Sequence, residues 1–168
     1  MAFKAIFRVS AVFGVLAVLA LPVRADPPEG YPFLDYDRGL AQARASGKRV
    51  FLYFGRYGCG WCDKTNKEAF SESAVRERYV DHYVLVYVDA ESGKRLVLPS
   101  GERITEMELG VRMKVVATPV FAFLEPDGGL IFKIAGVQSA QDFLHYDRYV
   151  HDGIYKTRGI REYLSELP

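Results

Sequence analysis

Only two cysteines occur in this chain of 168 residues, and they stand as Cys59-Gly60-Trp61-Cys62. The pair follows the apolar run Val50-Phe51-Leu52-Tyr53-Phe54 and opens a segment of helical character. A strand that hands a CxxC to a helix N-terminus makes one cysteine reactive, because the terminal amides and the helix dipole favour its thiolate. The thiolate is the species that attacks disulfides. Lowering a thiol pKa from about 8.5 to about 7 takes roughly 2 kcal/mol, near the upper limit of what a helix terminus supplies. That change raises the thiolate fraction at neutral pH from a few per cent to about half.

Other chemistries share the spacing and fit less well. A structural zinc site usually takes four ligands, and no second cysteine pair exists. His82, His145 and His151 are scattered along the chain without ligand spacing, so no metal is expected. Covalent haem attachment needs histidine directly after the second cysteine, where Asp63 stands. A purely structural disulfide stays open, but closing so short a loop removes little chain entropy. The pattern favours thiol–disulfide exchange.

The compartment agrees with that chemistry. Lys4 and Arg8 precede an apolar run from Val9 to Leu21, Pro22 breaks it, and Val23-Arg24-Ala25 offers a small-residue cleavage site. The run is short against the roughly 20 residues of a membrane span. Residues 1–25 therefore read as a signal peptide cleaved after Ala25, which makes the protein exported, periplasmic, and free of stable membrane insertion. A retained anchor is the alternative. Basic and acidic residues number 22 and 21, a balance that argues against nucleic acid as the main ligand. Disulfide-stapled exported domains spread their cysteines along the chain, so two cysteines at one helix start suggest a site.

The elements that must position the pair follow from pattern. Residues 26–34, rich in proline and glycine, read as a linker, and 35–168 as one domain. A helix is expected over 35–46 with Gly47 as its C-cap, a buried strand over 50–54, and a helix from Cys62 to about Phe70. Ser71 is a candidate cap for a second helical stretch. Residues 83–89 form another buried strand, 94–103 an inserted hairpin, and 105–113 a helix. Val120 to Leu124 and Leu130 to Ile134, joined by Pro126-Asp127-Gly128-Gly129, make an antiparallel hairpin. Ser139 caps a helix to about His151, and a last helix covers 160–167. An α/β fold satisfies this order, with a central mixed β-sheet flanked by helices and a C-terminal helical extension.

The strand-CxxC-helix unit, Thr118-Pro119 before a hairpin strand, and the Asp127-Gly128 turn together resemble the thioredoxin superfamily over residues 35–150. The leader, the inserted hairpin and the C-terminal segment are similar to exported SoxW-type thioredoxins, which are associated with sulfur oxidation. The resemblance implies a thioredoxin fold with Cys59 as exposed nucleophile and Cys62 as buried resolving thiol. It also implies that Pro119 is cis and that Thr118 offers backbone hydrogen bonds to a bound peptide. Gly60 and Trp61 would line the same substrate face, with Trp61 as an apolar surface contact.

The sequence departs from the family at several places. Gly58 stands where tryptophan is usual, and Gly60-Trp61 replaces Gly-Pro. The family's buried acid falls at Tyr53 and its partnering lysine near Leu85. Proton transfer from Cys62 would then use water, another acid such as Asp63, or no dedicated group. Gly60-Trp61 brings no positive charge to stabilise the reduced pair, whereas Arg56 and Lys64 nearby push the other way and Asp63 opposes them. The balance favours a reductase over an oxidase or isomerase. Such a reductase needs no cofactor beyond its own disulfide. It needs cysteine-containing exported partners, among which a sulfur-oxidation carrier is one candidate, and a membrane thiol-electron donor. The rival from another class is a binding module that holds peptides without turnover.

Overall fold

The computed structural model describes residues 27–167, so the expected leader and its cleavage point lie outside the described residues. Two long apolar runs form the neighbouring strands β1 (Arg49–Gly55) and β2 (Tyr83–Asp89), paired in parallel from Arg49 opposite Tyr83 to Gly55 opposite Asp89. Strands β5 (Val120–Leu124) and β6 (Leu130–Ala135) form the expected hairpin, and β5 lies antiparallel to β1. The sheet order is β2-β1-β5-β6. A central pair buried on both faces explains why β1 and β5 read as unbroken apolar runs.

The period-two alternation of those runs divides the core. Phe51, Tyr53, Phe121 and Phe123 face one layer, which contains α2 (Gly60–Glu68), α3 (Ser73–His82), α5 (Ala140–His151) and α6 (Ile160–Ser165). This layer is aromatic: Phe51 meets Tyr79 edge-on at 4.7 Å between ring centroids and stacks on Phe121 at 5.8 Å. Such pairs add directional preference to burial and fix one packing arrangement. Val50, Leu52, Phe54, Val120, Ala122 and Leu124 face the other layer, made by α1 (Tyr36–Ser46), α4 (Glu106–Arg112) and the small hairpin β3 (Arg95–Val97)–β4 (Arg103–Thr105). Helix α1 sits close on the sheet because Gly39 lacks a side chain: a Cβ there would lie 2.2 Å from Val86 Cγ2.

Three expectations need amending. Part of the stretch read as a linker is packed into the domain. Tyr31 is buried and donates its hydroxyl to the Phe70 carbonyl at 2.9 Å, and Leu34 makes a parallel bridge to Val86 that covers the outer edge of β2. Ser71 does not cap α3. Glu72 is the N-cap residue, without a side-chain bond, and Ser71 instead donates back to the Lys67 carbonyl at 2.7 Å at the end of α2. Helix α2 starts at Gly60 rather than Cys62, so Cys59 itself is the N-cap. Ser139 does cap α5 as expected, and the structure adds Asp142 as its reciprocal partner in a capping box.

Beyond α5 the chain makes a single 3-10 turn, Ile154–Lys156, and then α6. Tyr155 of that turn donates to Glu125 Oε1 at 2.6 Å and accepts from Arg49 Nε at 3.2 Å, and Arg49 pairs with Glu125 at 3.7 Å. The extension thus joins the start of β1 to the end of β5. Nearby, Asp147 on α5 is buried and meets His82 Nδ1 of α3 at 2.7 Å and Arg78 at 3.4 Å.

Candidate active site

Strand β1 ends at Gly55, and a turn carries the chain into α2 through Gly58 at φ +66, a left-handed conformation that glycine adopts without a Cβ clash. Cys59 follows as the N-cap of α2, bonded to Cys62 as a disulfide. Its Sγ accepts a hydrogen bond from the Cys62 N–H at 3.1 Å, so sulfur fills the role that serine or aspartate oxygen plays in most caps. The same amide and the helix dipole would stabilise a negative Sγ after reduction.

A second donor comes from across the sheet. The Thr118–Pro119 peptide bond is cis, and its loop brings Thr118 Oγ1 to 3.2 Å from Cys59 Sγ, as donor to the sulfur. The Thr118 carbonyl oxygen lies 3.6 Å from the same sulfur, within reach of a thiol proton in the reduced form. The two ends of the site are set by neighbouring strands, since Phe54 of β1 is opposite Val120 of β5.

The exposure expected of Cys59 is absent in this oxidised form: Cys59 is 3% exposed and Cys62 1%. The capping geometry turns the Cys59 sulfur inward over α2, with the Thr118 loop against it. What reaches solvent is Trp61, at 65% exposure. Gly60 leaves open space beside it, because a Cβ there would meet nothing within 4 Å.

The charges around the pair are locally matched. Arg56 faces Glu91 at 3.6 Å, Lys64 faces Glu68 at 3.6 Å, and Asp63 faces Lys67 at 2.7 Å. Asp63, weighed as a proton carrier for Cys62, thus directs its carboxylate to a lysine one turn further along α2. At the place of the family's buried acid, Tyr53 is fully enclosed and donates its hydroxyl to Asn66 Oδ1 at 3.2 Å. Burial pushes its phenol far above the usual range, with Tyr87 and Asp63 adding to that, so the group stays neutral.

An open groove of about 460 Å³ lies beside the disulfide. Trp61, Val116, Val120 and Val137 supply apolar walls, Thr118 borders the sulfur side, and Lys114 and Lys133 stand at the lip. Sequence reasoning found Trp61 and Thr118 but missed the rest. The available signal was the short run Lys114-Val115-Val116-Ala117 directly before Thr118-Pro119, in which Val116 is 96% exposed. The histidines also differ from their scattered look in sequence, because His82 and His151 stack at 3.6 Å between ring centroids. Among the described residues, no group of three or more His, Cys, Asp or Glu side chains converges to hold a metal ion.

Solved structures share this architecture. A thioredoxin-fold protein from Helicobacter pylori superposes with TM-score 0.63 at 22% identity, covering 72% of this chain and 80% of its own. A thioredoxin from Thermus thermophilus gives TM-score 0.60 at 26% identity, with 71% and 86% covered. A putative disulphide-isomerase from Bacteroides thetaiotaomicron gives 0.59 at 24%, with 80% and 100% covered. Among curated proteins, none matches the chain. The family model described as a thioredoxin-like domain matches residues 36–151, a span that holds both cysteines and the Thr118–Pro119 loop. By that match over most of its length, the chain belongs to the thioredoxin-like domain family.

Proposed function

We propose that the protein is an exported thiol–disulfide oxidoreductase that reduces disulfides in periplasmic protein partners. One observation carries this reading: Cys59 Sγ sits at a helix N-terminus with two donors aimed at it, the Cys62 amide and Thr118 Oγ1. Donors to sulfur favour the thiolate needed for attack. The likeness to the Thermus thermophilus thioredoxin supports the same chemistry, and the signal-like residues 1–25 support export.

In the reduced protein, Cys59 thiolate attacks one sulfur of a substrate disulfide, and the other substrate sulfur leaves as a thiolate. A mixed disulfide joins Cys59 to the substrate. Cys62 thiolate then attacks Cys59 Sγ, releases the second substrate thiolate and re-forms the Cys59–Cys62 bond. Two electrons pass from the pair to the substrate. A membrane thiol-electron donor would return the pair to its reduced form. Arg56 and Lys64 are each engaged by a carboxylate, so cationic stabilisation of the reduced state is muted and the pair is a fair reductant rather than a strong oxidant. The SoxW-type resemblance names a sulfur-oxidation carrier as the partner to seek first.

The test is covalent capture. Cys62→Ala, purified from the exported compartment without reductant, should hold partners that dithiothreitol releases, and Cys59→Ala should capture none. Sulfur-oxidation proteins among the released partners would support the SoxW-type assignment, and a broad mixture a general reductase. Equal capture by Cys59→Ala would reverse the roles of the two thiols. Failure of the wild-type protein to reduce insulin with dithiothreitol would leave the binding-module reading in its place.

A further inference from the structure

The groove beside the disulfide carries two lysines and no acidic residue among its lining, and the two lysines are not equivalent. Lys133 Nζ donates to the carbonyl oxygens of Met113 and Lys114. Its charge is engaged in holding Met113 and Lys114 to β6. Lys114 is exposed, and among the described residues no carboxylate pairs with its ammonium. Its backbone gives a second signal. Lys114 has φ 54, the one positive φ at a non-glycine residue in the described chain. Glycine adopts that conformation freely, whereas a side chain there adds strain. The position thus keeps an unpaired cation at the lip of an apolar groove, in a conformation better suited to glycine.

We propose that Lys114 is a specificity-determining residue that selects acidic substrate segments for attack by Cys59. The segment would lay an apolar side chain between Trp61 and Val116 and bring a carboxylate to the Lys114 ammonium. The inference rests on the oxidoreductase reading above. A charge at a solvent-exposed lip contributes little affinity, but it discriminates between partners of opposite sign and acts on the rate of encounter. Lys133 cannot substitute for it without releasing the two carbonyls it holds.

Two peptides test this. Each carries one cysteine as a mixed disulfide with 2-mercaptopyridine, a neutral leaving thiol, and one flanking leucine; they differ only by Glu or Lys at a second flanking position. Attack by reduced protein releases the pyridinethione chromophore, and the readout is the ratio of the two rates. The wild type should favour the Glu peptide about five-fold at low salt, the size of one exposed ion pair. High salt should bring the ratio towards one. Lys114→Glu should reverse the ratio. Lys114→Gly should abolish it without lowering the melting temperature, because glycine relieves the backbone. Equal rates in the wild type, or an unchanged ratio in Lys114→Gly, would overturn the inference while leaving the oxidoreductase reading intact. Release from neither peptide would overturn that reading and this inference with it.

Discussion

Thr118 Oγ1 lies 3.2 Å from Cys59 Sγ, although 59 positions separate the two residues in the chain. The contact makes the cis-proline loop part of the sulfur's electrostatic environment as well as a candidate peptide rest. Thr118→Val keeps the shape and removes the donor. Hydrogen bonds to charged groups are worth about 1.5 kcal/mol or more, so the reduced variant should alkylate at neutral pH roughly ten-fold more slowly. The pH profile of iodoacetamide modification reads this out, and its midpoint should move upward. An unchanged profile would show that Thr118 contributes nothing to the thiolate.

Trp61 has 65% of its surface exposed, and its walls of contact lie on the groove rather than in either core layer. Trp61→Ala should therefore leave the melting temperature within about 2 °C of wild type, as for other surface changes. Its kcat/KM for insulin reduction should fall several-fold. A large stability loss with unaltered kcat/KM would make Trp61 a packing residue after all.

Asp147 is the buried carboxylate that ties α3 to α5 through His82 and Arg78. Removing one partner of a buried charged cluster typically costs 3–5 kcal/mol, and the half-exposed Arg78 places Asp147→Ala at about 3 kcal/mol. Asp147→Asn keeps a hydrogen-bond acceptor and should lose less. Urea unfolding at neutral pH measures both, and a loss below about 0.5 kcal/mol in the alanine variant would refute the role.

Alkaline stability follows from the tyrosines. Burial is the main cause that pushes Tyr31 and Tyr146 up to about 12. Unfolded tyrosine titrates near 10, so the folded chain holds these protons more tightly. The stability they contribute is full below about pH 10 and is lost as pH rises towards about 12. Phenolate absorbance should consequently appear together with the loss of near-ultraviolet circular dichroism. Ionisation of the whole tyrosine set while the fold persists would contradict this.

Much of the architecture was legible because it depends on local signals. The apolar runs gave β1, β2 and β5, the Pro-Asp-Gly-Gly turn gave the β5–β6 hairpin, and Ser139 marked the start of α5. Cys59, Cys62, Trp61, Thr118 and Pro119 do converge at one end of the sheet. What stayed hidden depends on three-dimensional neighbours. Nothing local distinguishes Tyr31 in a proline-rich stretch from a free linker residue, since its partner is the Phe70 carbonyl. The enclosure of Cys59 combines its own capping geometry with the Thr118 loop, 59 positions away. Lys114 and Lys133 look alike in sequence, and only the carbonyls of Met113 and Lys114 separate their roles.

The Arg49–Tyr155–Glu125 cluster ties β1 and β5 together at the ends remote from the cysteines. These are the same two strands whose opposite ends deliver Cys59 and Pro119, about 20 Å away at strand rise. Between those ends the two strands pair without a break from Val50 opposite Leu124 to Phe54 opposite Val120, so the extension clamps the far end of the same ladder that holds the sulfur against the loop. The C-terminal segment is in this sense part of the frame on which the disulfide is mounted, although none of its residues lines the groove beside that disulfide.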